Sequence, residues 1–187
     1  ALGRVFEYDR YGRLHRRGFL RSEAIAAYRR AKALDGDDLR PRRLLADVLR
    51  RSKRGQLADV PSDQLEAALK EYRELVDKLG DHSSRAPFAY TLLMAGKLRE
   101  LSKLLETWTS GGERDAYYLT LLALQGRTEA YGRWISAHPR KAPTITRQVS
   151  KMLVVLGAYE RVAAIARSLT SKKKRQPKLL AAITLFE

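Results

Sequence analysis

Apolar residues recur along this chain at steps of three and four, without the strict alternation of a half-buried strand. The stretch Ser22–Gly36, SEAIAAYRRAKALDG, sets the pattern. Ala24, Tyr28 and Ala31 share one side of a helix and Leu34 extends the stripe, which is the period of a half-buried helix. Small residues on such a stripe allow a neighbouring helix to approach closely. Ser22 is placed to cap the helix with its hydroxyl, and Asp35-Gly36-Asp37-Asp38 ends it. A preceding helix is expected over 5–17, with Gly18 at the turn. Leu39 to Arg54 reads as a third helix, with Leu44, Leu45, Val48 and Leu49 on one face. Pro41 fits its first turn, where a missing N–H is harmless. A fourth runs from Pro61-Ser62-Asp63, with Ser62 or Asp63 as cap, through Leu65, Ala68, Leu69, Tyr72, Leu75, Val76 and Leu79.

Beyond the break at Gly80–Ser84 the units shorten. Helices are expected over 86–95 and 97–108, over 115–125 and 127–137, and over 144–156 and 159–169. Each pair turns about one glycine: Gly96, Gly126 and Gly157, separated by 30 and 31 residues. Near-regular helix–turn–helix units of this kind mark an α-solenoid. The fold class is therefore all-α: about five antiparallel helix pairs in a single domain over 1–187. The pairs cover about 5–35, 39–79, 85–108, 114–137 and 143–170, and a terminal helix covers 177–186.

The opening pair resembles a tetratricopeptide (TPR) repeat. Tyr8-x-x-Tyr11-Gly12-x-x-His15 follows the order of the first TPR helix, W-x2-L-G-x2-Y, with Tyr, Tyr and His in place of Trp, Leu and Tyr. Ala24, Tyr28 and Ala31 follow the second. Ala68, Tyr72 and Leu75 repeat that spacing 44 residues later, against a usual period of 34. The later pairs lack the stripe and are TPR-like. The resemblance implies a right-handed solenoid and a non-enzymatic, protein–protein interaction scaffold. In such arrays the first helix of each pair lines a concave groove. Carried over in that register, the groove residues are Arg10, Arg13, Arg17, Arg43, Arg50, Lys53, Arg54, Tyr90, Tyr117, Arg147 and Lys151, with Met94 and Thr120 beside the tyrosines. A groove basic at both ends and aromatic in the middle suits an acidic peptide. It equally suits one strand of RNA or DNA, with phosphates on Arg and Lys and bases on Tyr. The TPR clamp for acidic chaperone tails uses Lys, Arg and Asn; this chain has no Asn.

Charge sharpens the choice of partner. The formal net charge is +16 from 37 Lys/Arg and 21 Asp/Glu, placed as +9 in 1–54, −3 in 55–113 and +10 in 114–187. Such an excess favours acidic partners, although Arg-rich composition on solvated helix faces gives the same count. Lys172-Lys173-Lys174-Arg175 is a basic patch suited to phosphate or anionic lipid, or a solvated loop between helices. No apolar run reaches the ~20 residues needed to span a bilayer, and a cytoplasmic protein is expected. The absence of Met at position 1 and the apolar end ITLFE suggest a fragment of something longer, so a regulatory solenoid attached to an enzyme is a third reading.

Catalytic signatures are missing. His15, His82 and His138 lie in unrelated settings, Cys is absent, and no HExxH, phosphate-cradling glycine loop or DxDxDG loop occurs. No catalytic residue, metal ligand set or cofactor is expected.

Overall fold

The computed structural model describes residues 2–170 except 17, 53–56, 58 and 110. Among the described residues the protein is all-helical, with ten α-helices and no strand. The chain divides into two compact units, Ala1–Lys97 and Leu98–Glu187.

In the first unit α1 spans Leu2–Phe6, α2 Arg21–Leu34, α3 Leu39–Leu49, α4 Ser62–Arg73 and α5 Arg85–Met94. Each helix packs against the next. α4 runs on into a π-helical turn, Glu74–Lys78, and a single 3₁₀ turn, His82–Ser84, leads into α5. The core alternates small and large side chains: Ala24 and Tyr28 from α2, Leu45, Ala46 and Leu49 from α3, Ala68, Leu69 and Tyr72 from α4, and Phe88 and Leu92 from α5. Tyr72 and Phe88 stack with centroids 6.0 Å apart, an offset aromatic pair that adds to simple area burial.

In the second unit α6 spans Leu98–Thr107, α7 Gly112–Leu124, α8 Thr128–Ala137, α9 Ala142–Val155 and α10 Tyr159–Thr170. α7 is the central helix, packing against α6, α8, α9 and α10. Its buried Ala116, Leu119, Leu122 and Ala123 meet Tyr131 and Ile135 of α8, Ile145, Val149 and Leu153 of α9, and Ile165 of α10. Burial is the chief cause that pushes the Tyr131 hydroxyl up to about 12.

The expected hinge glycines are in place. Gly96, Gly126 and Gly157 all have φ near +70°, between 68 and 73. Each turn closes alike: the amide following the glycine donates back to the carbonyl five residues earlier, Lys97 to Leu92, Arg127 to Leu122 and Ala158 to Leu153, at 2.8–2.9 Å. This is the Schellman closure, in which an αL residue satisfies orphan carbonyls at a helix end.

The opening departs from expectation. No helix covers 5–17: α1 ends at Phe6, and the chain turns back on itself so that Tyr8 and Leu14 form an isolated antiparallel bridge. Asp9 causes this locally. Its carboxylate accepts the amides of Tyr11 and Arg13, each at 2.9 Å. Such Asx turns compete with helical bonding. Gly12 at φ 72 and His15 at φ 50 complete the reversal. The TPR-like aromatic order at 8–15 thus lies on a loop. Ser22 is the second residue of α2, and its side chain makes no capping bond; Leu20 precedes the helix. Likewise Ser62 opens α4 without capping it, and Pro61 holds the cap position. Leu34 points to solvent at 88% exposure, away from the stripe that buries Ala24 and Tyr28. α3 stops at Leu49, short of Arg54. The terminal helix expected over 177–186 lies outside the described residues.

One close approach ties α1 to α2. A Cβ on Gly3 would sit 2.5 Å from Cε1 of Tyr28, and the Tyr28 hydroxyl is bound to buried Glu7. The ring therefore cannot swing aside without breaking that bond. Gly3→Ala is expected to destabilise the protein by roughly 1–3 kcal/mol through overpacking, read as a lowered urea midpoint with an unchanged m-value. An unaltered midpoint would mean that α1 does not dock on Tyr28.

Candidate functional site

A groove of about 670 Å³ in the first unit is formed by α1, α2 and α3. Leu2, Gly3 and Phe6 line it from α1, Ala26, Ala27 and Ala31 from α2, and Pro41 and Leu44 from α3. The small side chains of α2 make the floor low, which follows from the alanine-rich sequence of that helix. Leu2 and Leu34, 68% and 88% exposed, stand at the groove with their apolar surface uncovered. The rim is charged: Arg4, Glu23, Arg30, and the pair Arg40–Asp38 joined at 3.0 Å. With Asp38 neutralised by Arg40, the remaining rim charges are two arginines against one glutamate.

The residues assigned from the sequence are divided between the units. In the first, Arg10 and Arg13 lie over the Tyr11 ring, at 4.7 and 5.0 Å, and Arg13 pairs with Asp9 at 2.8 Å. Arg43 grips Asp81 through Nε and Nη2 at 2.5 and 2.8 Å. Arg50 binds Asp47 Oδ1 at 2.8 and 2.6 Å. Tyr90 is half-buried on α5, and burial raises its hydroxyl pKa. In the second unit Tyr117 is buried, with its ring 5.9 Å from that of Trp108. Thr120, in the same unit, is buried and donates to the Ala116 carbonyl at 2.8 Å, whereas Met94 is half-buried at the end of α5 in the first unit. Arg147 and Lys151 are exposed one turn apart on α9. Arg17, Lys53, Arg54 and the block Lys172–Arg175 lie outside the described residues.

Much of the basic charge in the first unit is therefore committed to internal pairs. Lys32 and Arg42 both reach Glu71, at 2.7 and 3.3 Å, and Lys97 reaches Glu66 at 2.7 Å. The first unit holds 21 Lys/Arg against 14 Asp/Glu, net +7 over residues 1–97. These carboxylates face a lysine or arginine from another segment, a relation between positions 29–39 residues apart that periodicity within one helix does not display.

A second group of polar side chains converges beneath the groove. Glu7 is buried, and its Oε1 accepts from the Tyr28 hydroxyl while Oε2 meets His15 Nε2. Burial alone would raise its pKa, but the bonds from His15 and Tyr28 outweigh it and hold the Glu7 carboxyl below its ordinary value. Burial and the Glu7 partner push the Tyr28 hydroxyl well up. Asp47 completes the group: burial opposes its ionisation, yet Arg50 and Arg51 keep its carboxyl below its ordinary value. No local pattern in the sequence marks this cluster, because its members meet through the non-helical turn that follows α1 rather than along one helix face.

His138 stacks on Trp134 at 4.3 Å and its Nδ1 bonds the Trp134 carbonyl at 2.9 Å, while His82 is exposed in the 3₁₀ turn. No described helix is long and apolar enough to cross a membrane. No protein-family model, no curated protein and no solved structure matches this chain.

Proposed function

We propose that this chain is a non-enzymatic, TPR-like helical-repeat interaction module whose first unit holds an acidic, amphipathic protein segment in the groove between α1, α2 and α3. The observation that carries the reading is the groove itself, apolar along its floor, with Leu2 and Leu34 uncovered and Arg4 and Arg30 on its rim. An amphipathic segment would bury its apolar face against these side chains and set its carboxylates beside the two arginines. The solenoid reading is supported by the shared closure at Gly96, Gly126 and Gly157.

A second reading, single-stranded nucleic acid, draws on exposed Arg147 and Lys151 and on a net charge of +9 over residues 98–187. The two readings separate in one experiment. A fluorescein-labelled peptide, Glu-rich on one helical face and Leu/Phe-rich on the other, is titrated with the full chain beside a labelled poly-dT strand. Peptide binding that persists at physiological salt and weakens about tenfold in both Leu34→Asp and Arg30→Glu, or ~1.4 kcal/mol, supports the groove. Peptide affinity unchanged in both variants overturns it. Tight poly-dT binding whose salt slope falls by about one unit on Lys151→Ala, without peptide binding, would favour nucleic acid.

A further inference from the structure

We propose that Glu7, His15 and Asp47 form a site for one divalent transition-metal cation of the zinc or manganese class. One carboxylate oxygen of Glu7, one of Asp47 and a ring nitrogen of His15 all lie within 4.8 Å of one another. They come from two segments, the 7–20 loop that carries Glu7 and His15 and the helix α3 that carries Asp47, so the site exists only in the folded first unit. The side chains of Glu7 and His15 are 1% and 9% exposed, and that of Asp47 is 27% exposed, leaving entry from the Asp47 side.

The donor set decides the class of ion. One imidazole with two carboxylates suits zinc, manganese or ferrous iron, whereas calcium and magnesium favour all-oxygen sites. Each carboxylate is also held from outside on one oxygen, as metal-ligating carboxylates commonly are. Tyr28 donates to Glu7 Oε1, and Arg50 donates twice to Asp47 Oδ1. Glu7 Oε2 then meets His15 Nε2, and Asp47 Oδ2 accepts from Arg51 at 3.3 Å.

His15 supplies an independent observation. It holds φ 50, a left-handed conformation outside glycine, of the kind that persists where surrounding structure enforces it and that gathers at ligand sites. Its amide donates to the Glu7 carbonyl at 2.8 Å, and its ring stands edge-on to Phe19 at 5.8 Å. These constraints aim Nε2 inward. Three cations oppose a metal there: Arg4, 3.7 Å from Glu7 Oε1, and Arg50 and Arg51 on Asp47. They weaken the site relative to a purely anionic one and favour an ion that bonds strongly to imidazole.

The test uses the full chain stripped with chelator and titrated with Zn²⁺ by calorimetry and with Co²⁺ by visible absorption. The expected result is one equivalent bound, a Co²⁺ spectrum with a nitrogen ligand, and a raised thermal midpoint, since an ion that binds only the folded state stabilises it. His15→Gln and Glu7→Gln are expected to weaken binding at least tenfold, while His82→Gln, at an exposed histidine away from the cluster, retains it. Should Glu7→Gln fail to fold by circular dichroism, Asp47→Asn on the more open side carries the test. Absence of saturable binding overturns the proposal, as does binding undiminished in His15→Gln.

Discussion

Ala24→Arg is expected to lower the thermal midpoint sharply and to remove helical signal, whereas Leu34→Arg, on the same helix, leaves both nearly unchanged. Ala24 has no exposed surface, and α2 packs against both α1 and α3. An arginine there must displace packed neighbours, which alone costs roughly 1–3 kcal/mol. Its guanidinium would also be held at a fully buried position, and an uncompensated buried charge costs roughly 3–5 kcal/mol. Domains of this size are stable by only ~5–15 kcal/mol, so the sum threatens folding. Leu34 is 88% exposed, and surface substitutions of that kind stay within about 0.5 kcal/mol. Denaturant midpoints of the two variants give the answer. Similar midpoints would mean that α2 turns a different face to its neighbours.

That contrast shows how far the sequence could be read. Periodicity placed most helices to within a few residues, and the hinge glycines marked three turns because a positive φ at a helix end leaves a local, compositional trace. Ala24 and Tyr28 were legible as buried because each belongs to a run long enough to define a face. Leu34 was assigned to the same stripe, but it is the last residue of α2 and stands 88% exposed. The 5–17 segment was read as helix because its aromatic spacing fits one; the deciding interaction, Asp9 accepting the amides of Tyr11 and Arg13, is the sort of local competitor that a hydrophobic pattern does not weigh. The site residues were less legible still. Arg43 and Arg50 were read as groove charges from their place off the apolar face. In the structure, their partners are Asp81 on a distant turn and Asp47 on the same helix. A count of net charge cannot separate an arginine that awaits a ligand from one already bound to a carboxylate.

The Arg43–Asp81 pair makes the second large effect, and it carries a pH signature. Asp81 is buried between α3 and the turn before α5. It accepts two bonds from Arg43, and also the Ser83 amide at 3.2 Å and the Ser83 and Ser84 hydroxyls at 2.6 Å. Burial opposes its ionisation, but Arg43 and the serine hydroxyls prevail and hold its carboxyl at about 2, below the ordinary 3.8. A folded-state pKa below the unfolded one means that the unfolded chain binds the proton more readily. The contribution is therefore complete above about pH 4 and is lost as the pH falls through about 2. At ~1.4 kcal/mol per unit it amounts to roughly 2 kcal/mol, reduced by solvent screening because the Arg43 side chain is 41% exposed. Arg43→Glu should cost more than this, about 3–5 kcal/mol, since it removes the partner of a buried carboxylate and adds a second negative charge beside it. The decisive measurement is the difference in urea midpoint between wild type and Asp81→Asn, followed from about pH 7 to about pH 2. Other carboxylates with depressed pKa values, Glu7 and Asp47 among them, weaken both proteins alike on acidification, so only the difference reports Asp81. It should be largest near neutrality and shrink toward zero in acid. A difference that stays constant would assign the loss to the hydrogen bonds of the turn, independent of charge, and would remove Arg43 as the source of the stabilisation.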